Sequence, residues 1–93
     1  MSLMTGNQLR AARVLVGLDQ VMLATAAGVN VNTIRKMEGR GPSILVSGLD
    51  TVRRVEAALN ARGVEVTGRE PEEAGVRLRA RDRAHGRTDM IAG

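Results

Sequence analysis

Not one of the 93 residues is phenylalanine, tryptophan, tyrosine or cysteine, so any hydrophobic core this chain forms must be aliphatic, drawn from Ala, Val, Leu, Ile and Met. A chain of this length buries only roughly 60–65% of the surface that its unfolded form exposes, enough for one domain with one modest aliphatic core. The same absence bears on function. RNA-binding sheets, OB-folds and single-strand channels stack bases on aromatic rings, so single-stranded nucleic acid is disfavoured as a ligand. Without cysteine there is no disulfide framework and no thiolate metal site, and the single His85 has no second imidazole to join it. The sequence therefore predicts neither metal nor cofactor.

The 14 basic residues exceed the 10 acidic ones, giving a net charge of +4 that suits a polyanionic partner. No apolar run reaches the ~18–20 residues of a membrane span, and the N-terminus lacks the basic-then-apolar layout of a signal peptide. The expectation is a cytoplasmic protein with no membrane partner. Met1, Ser2 and Leu3 ahead of Met4 read as an expression remnant before the start, which sets residues 1–4 outside the fold.

Periodicity divides the rest. Thr5 followed by Gln8 has the form of a capping box, and Leu9, Ala12 and Val16 recur at helical spacing with Leu15 widening the stripe, which predicts a helix over 6–16. Gly17 ends it. Asp19 caps a second helix over 20–27, Gly28 closes that one, and Asn30 caps a third over 31–38 that stops at Gly39-Arg40-Gly41-Pro42. After the apolar linker Ile44, Leu45 and Val46, capping groups at Ser47 and Asp50 introduce a fourth helix with Leu49, Val52, Val55, Ala58 and Leu59 on one face and Arg53, Arg54, Glu56 and Arg62 outside. Beyond Gly63 the period falls to two, predicting short strands over 64–67 and 76–79 joined by a polar loop, and residues 80–93 read as a mobile basic tail.

The informative stretch joins the second and third helices. Two helices meeting steeply through a turn of about three or four residues need a small side chain where their backbones approach, which Ala24 supplies, and a left-handed residue in the turn, which Gly28 supplies. Leu23, Val29, Ile34 and Met37 then face inward, leaving a polar, cationic face. Val31 belongs either to that face or to the edge of the core, because it lies three residues before Ile34.

The run Gln20-Val21-Met22-Leu23-Ala24-Thr25-Ala26-Ala27-Gly28-Val29-Asn30-Val31-Asn32-Thr33-Ile34-Arg35-Lys36-Met37-Glu38 resembles the helix-turn-helix of the Cro/C1 (XRE) family of prokaryotic regulators. Leu9-Arg10-Ala11-Ala12-Arg13 and the exit Glu38-Gly39-Arg40-Gly41 resemble it too, so the likeness covers residues 5–63, about two-thirds of the chain. The resemblance implies a mainly α, lambda-repressor-like four-helix bundle, here with a short C-terminal β-hairpin, that binds double-stranded DNA as a transcriptional regulator, most simply a repressor by occupancy. It also implies that the third helix lies in the major groove. Carried over position by position, the base-facing residues would be Val31, Asn32, Arg35 and Lys36, with Arg35 reaching either a base or the backbone. The phosphate contacts would be Gln20, Asn30, Thr33, Arg40 and Ser43. Asn pairs with adenine, Lys reaches guanine, and Val packs on a thymine methyl. Two positions depart from the family: Val31, where a polar residue is commoner, and Asp19, where Ser is usual and where an acid beside a phosphate is unfavourable. The same fold also serves antitoxins and protein-binding coregulators.

No catalytic constellation accompanies this motif, because Ser43 and Ser47 have no nearby His and the carboxylates form no paired set, so an enzyme is not expected. The C-terminal strands pose the question of a partner. Two strands alone make a marginal hairpin with open edges. The simplest solution is a homodimer in which the strands pair with their copies or pack on the fourth helix, burying Val64, Val66, Val76 and Leu78. A monomer whose hairpin folds back on its own helices is the alternative.

Overall fold

The computed structural model describes residues 3–79. Within them the chain is mainly helical, with α1 (Gly6–Leu15), α2 (Gln20–Ala27), α3 (Val31–Gly39) and α4 (Leu49–Asn60) followed by an antiparallel hairpin of β1 (Val64–Thr67) and β2 (Gly75–Leu78). A single 3₁₀ turn, Pro71–Glu73, sits in the hairpin loop. No helix among the described residues is long and apolar enough to cross a membrane. Residues 80–93, read above as a tail and including His85, lie outside the described residues.

Local chemistry sets the three N-terminal helix starts. Thr5 Oγ1 accepts the Gln8 backbone N–H at 3.1 Å, Asp19 Oδ1 accepts that of Met22 at 2.7 Å, and Asn30 Oδ1 accepts that of Asn32 at 2.7 Å. Gln8 departs from the capping-box pattern. Its Oε1 accepts the Met4 N–H at 2.6 Å rather than closing the reciprocal bond, and its Nε2 donates to the carbonyls of Thr67 and Gly75 at 3.1 and 3.0 Å. One buried carboxamide thus ties the N-terminal segment to both strands of the hairpin. The fourth helix differs from expectation as well: Gly48 is its N-cap, with no side-chain capping bond, while Asp50 pairs along the helix with Arg54 at 2.9 Å.

The core is continuous from α1 to β1. Leu9, Leu23, Ile34, Val55, Leu59 and Val64 are fully buried, and Met37 nearly so. Four expectations change here. Leu3, set aside as a remnant, is buried in the core, and its N–H donates to Glu56 Oε1 at 2.8 Å. Leu15 and Leu49, placed on apolar stripes, are exposed. Val64 and Val66, assigned to a dimer interface, are buried inside the chain's own core, with Val76 and Leu78 half-buried against it. The hairpin therefore folds back on its own helices, because β1 packs on α1 and α4 and β2 packs on α1. Register explains the inward set: Val64 pairs with Leu78 and Val66 with Val76, so period-2 alternation puts all four on one face. Glu65 and Arg77 pair on the other face, with an ion pair at 3.6 Å.

Gly6 marks where the start of α1 meets the end of α3. A Cβ there would lie 2.4 Å from the Met37 carbonyl oxygen, 2.8 Å from that of Glu38 and 2.8 Å from the Gly41 nitrogen, all backbone atoms that cannot swing aside. The neighbouring Asn7 N–H donates to the Gly41 carbonyl at 2.8 Å. Gly6→Ala should therefore cost about 1–3 kcal/mol by overpacking, measured by urea denaturation, despite alanine's better helix propensity. An unchanged or raised midpoint would contradict the close approach.

Candidate nucleic-acid interface

Helices α2 and α3 are joined through Gly28, whose φ of 70° is left-handed, and the turn is fixed by two backbone bonds into the end of α2, Gly28 N–H to the Thr25 carbonyl and Val29 N–H to that of Ala24. Ala24 is buried near this junction, as the small residue there requires. From the turn, α3 runs with Ile34 and Met37 buried and Asn32, Arg35 and Lys36 exposed. Val31 resolves between its two readings as a residue at the border: it is half-buried and packs on the core edge.

The exposed face is partly preorganised. Arg35 Nη1 donates to Asn32 Oδ1 at 3.2 Å, one turn apart. A carboxamide oxygen has two lone pairs and its nitrogen two protons, so Asn32 keeps acceptor and donor capacity for a further partner. Lys36 has no side-chain hydrogen bond or ion pair among the described residues, and its ammonium is free to reach outward.

Beneath this face lies a nearly buried ion pair. Arg13 on α1 donates to Glu38 on α3 through Nε at 2.6 Å and Nη2 at 3.0 Å, and Nη1 donates to the Leu18 carbonyl at 2.9 Å. The two side chains are only 13% and 6% exposed. The hydrogen bond to Glu38 holds the Arg13 pKa above its ordinary value, burial opposes it, and the charges of Glu38 and Asp19 add to the rise. Gln20 Nε2 donates to the same carboxylate at 3.2 Å. Glu38 thereby fixes the first residue of α2 as well as α1 against α3, and the second amide proton of Gln20 remains for an outside acceptor.

An open groove of about 540 Å³ runs along this junction, lined by Arg10, Arg13, Asp19, Gln20, Arg35, Glu38 and Gly39. Because Arg13 neutralises Glu38, the exposed cations Arg10 and Arg35 dominate its rim. Arg10 was not among the residues singled out above, although it precedes Arg13 by one helical turn and so shares its face of α1. That spacing was the available signal. Asp19 stays at the groove with its carboxylate engaged in capping α2.

The remaining candidates divide. Asn30 is exposed, with its oxygen committed to the cap of α3, and Thr33 is half-buried. Arg40 and Ser43 are exposed past the end of α3, but Arg40 Nε donates to the Ile44 carbonyl at 3.0 Å, which holds that side chain toward the following linker. The structure thus gathers Gln20 and Arg35 at one groove, with Arg10 added and Asn32 bonded to Arg35, while Lys36 is exposed on the same helix. It gathers none of the four hairpin residues there.

What fold and site define together is a mainly helical protein that presents an exposed cationic helix on a rigid, ion-paired base. Compared with known proteins, the chain matches no protein-family model, and no curated protein is significantly similar to it.

Proposed function

We propose that this chain is a helix-turn-helix protein of the lambda-repressor-like kind that reads double-stranded DNA with α3 and acts as a transcriptional regulator, most simply by occupying its operator. The observation that carries the reading is the division of α3: two inward side chains, Ile34 and Met37, are locked in the core, while Asn32, Arg35 and Lys36 are exposed, with Arg35 lining the same groove as Arg10 and Gln20. A helix held this rigidly can enter a major groove without losing much conformational freedom, and its polar residues suit base edges. Asn32 and Lys36 are assigned to bases and Val31, from its half-exposed border position, to a thymine methyl. Arg35 serves either a base or the backbone. Gln20, Asn30, Thr33 and Ser43, together with Arg10 and the Nη groups of Arg40, are assigned to phosphates.

The test is selection of bound genomic fragments at about 150 mM salt, followed by affinity measurements on the enriched site. Asn32→Ala and Lys36→Ala should each lose ~1–3 kcal/mol of discrimination, about 5- to 150-fold, at one base position. Arg10→Ala should instead weaken all sequences alike and reduce the log–log salt slope by about 0.9, the value of one phosphate. Absence of any enriched sequence, or variants at 32 and 36 that bind as the parent does, would overturn the assignment.

A further inference from the structure

Arg35 has two targets open to it in the DNA reading, a base edge or the sugar-phosphate backbone, and its contact with Asn32 bears on the choice. Both side chains are exposed on α3, and Arg35 Nη1 donates to Asn32 Oδ1 at 3.2 Å. A guanidinium carries several N–H donors in a fixed planar fork, so this contact uses one and leaves enough for a bidentate partner. Asn32 is the second residue of α3, and the bond draws the fork back toward that end of the helix. A recognition helix meets base edges with its N-terminal residues. The contact therefore aims Arg35 at the end where bases are read.

Hydrogen-bond polarity then selects the base. Glu38 supplies the only carboxylate of α3, and it is 6% exposed and bonded to Arg13 and Gln20. Arg35 and Lys36 can only donate. To pair with adenine, Asn32 would have to accept from the N6 amino group on Oδ1 while donating to N7. That oxygen already takes a proton from a cation, and an amino group approaching its second lone pair would meet the guanidinium, donor against donor. Guanine instead presents two acceptors, O6 and N7, at the spacing an arginine fork matches. We infer that Arg35 reads a guanine and that Asn32 is the positioning residue that aims it, so that the two act as one unit at one base pair. The inference rests on the DNA reading and deepens it: the base position assigned to Asn32 is the guanine that Arg35 holds. Fixing the guanidinium before binding also lowers the conformational freedom lost when it docks.

Selection of bound fragments by the parent protein comes first, because it separates the two claims. If nothing is enriched, the DNA reading fails and this assignment with it; if a site is enriched, the variants test the assignment alone. On the enriched half-site, Arg35→Ala should lose about 5- to 150-fold of the preference for guanine at one position. Placing 7-deazaguanine there, which lacks the N7 acceptor, should weaken the parent by about 5-fold or more and leave Arg35→Ala unaffected. Asn32→Ala should weaken the preference at that same position, and its effect there should vanish in the Arg35→Ala background. Arg35→Lys keeps the charge but not the fork, so it should hold the salt slope and lose most of the guanine preference. Asn32→Asp is the decisive variant. It retains an oxygen for Arg35, so the guanine preference should survive even as the added charge weakens binding to all sequences. If Asn32 reads a base by itself, the same carboxylate should turn the preference toward cytosine, whose N4 amino group donates to an acid. That switch, additive losses for Asn32→Ala and Arg35→Ala, or an enriched half-site with no guanine at the position these variants affect would each overturn the assignment and leave the DNA reading standing.

Discussion

Glu38→Ala should lower stability by about 3 kcal/mol or more, the cost of stranding a charge whose partner has been removed from a largely buried pair. For a domain of this length, at ~4–8 °C per kcal/mol, that is a fall in Tm of about 12 °C or more. The loss is large because the carboxylate serves three elements at once: it accepts two bonds from Arg13 on α1 and one from Gln20 at the start of α2, and it belongs to α3. Glu38→Gln retains part of the acceptor capacity but not the charge, and should fall between the parent and the alanine variant. In a double-mutant cycle, Arg13→Ala combined with Glu38→Ala should cost clearly less than the sum of the two singles. Additive losses would show that the pair is not the unit. The sign of the pH dependence follows from Arg13. Its folded pKa is raised, so its contribution is complete at every pH below the ordinary guanidinium value and is lost only as pH rises through the folded value. The arginine side of the pair should accordingly give a flat stability profile through the neutral range.

Ile34→Ala should cost about 2–5 kcal/mol, since the side chain is fully buried and its removal leaves a cavity under α3. A chain of this size has roughly 5–14 kcal/mol in total, so the variant gives up a large share of its margin. Ile34→Val should cost only about 0.5–1.5 kcal/mol. The contrast with Asn32→Ala separates scaffold from reading face on a single helix. The Ile34 variant should lower the urea midpoint and leave the preferred DNA sequence of the folded fraction unchanged. The Asn32 variant should alter that preference while moving stability by no more than about 0.5 kcal/mol, as is usual for exposed sites. A shift of sequence preference on Ile34→Val with no loss of stability would reverse the two roles.

The parts of this protein that were legible in its sequence are those fixed within a few residues. Asp19 and Asn30 each cap the helix that follows because a short polar side chain can reach an amide two or three residues on. Gly28 ends α2 because its φ of 70° is cheap only without a Cβ. The spacing of Leu9 and Ala12, of Leu23 and Ala27, and of Ile34 and Met37 determined which faces are buried, and hence that Asn32, Arg35 and Lys36 are exposed. What only the tertiary structure decided involves partners far apart in the chain, where spacing carries no signal. Arg13 meets Glu38 across 25 positions, Gln8 reaches the hairpin across 59 and 67, and Leu3 is buried with its N–H on Glu56 53 positions away. Alternation foretold that Val64, Val66, Val76 and Leu78 share a face but could not say whether that face meets a second copy or its own helices. That choice rests on which surface lies within reach once α1 and α4 are packed, and it fell to the chain's own core.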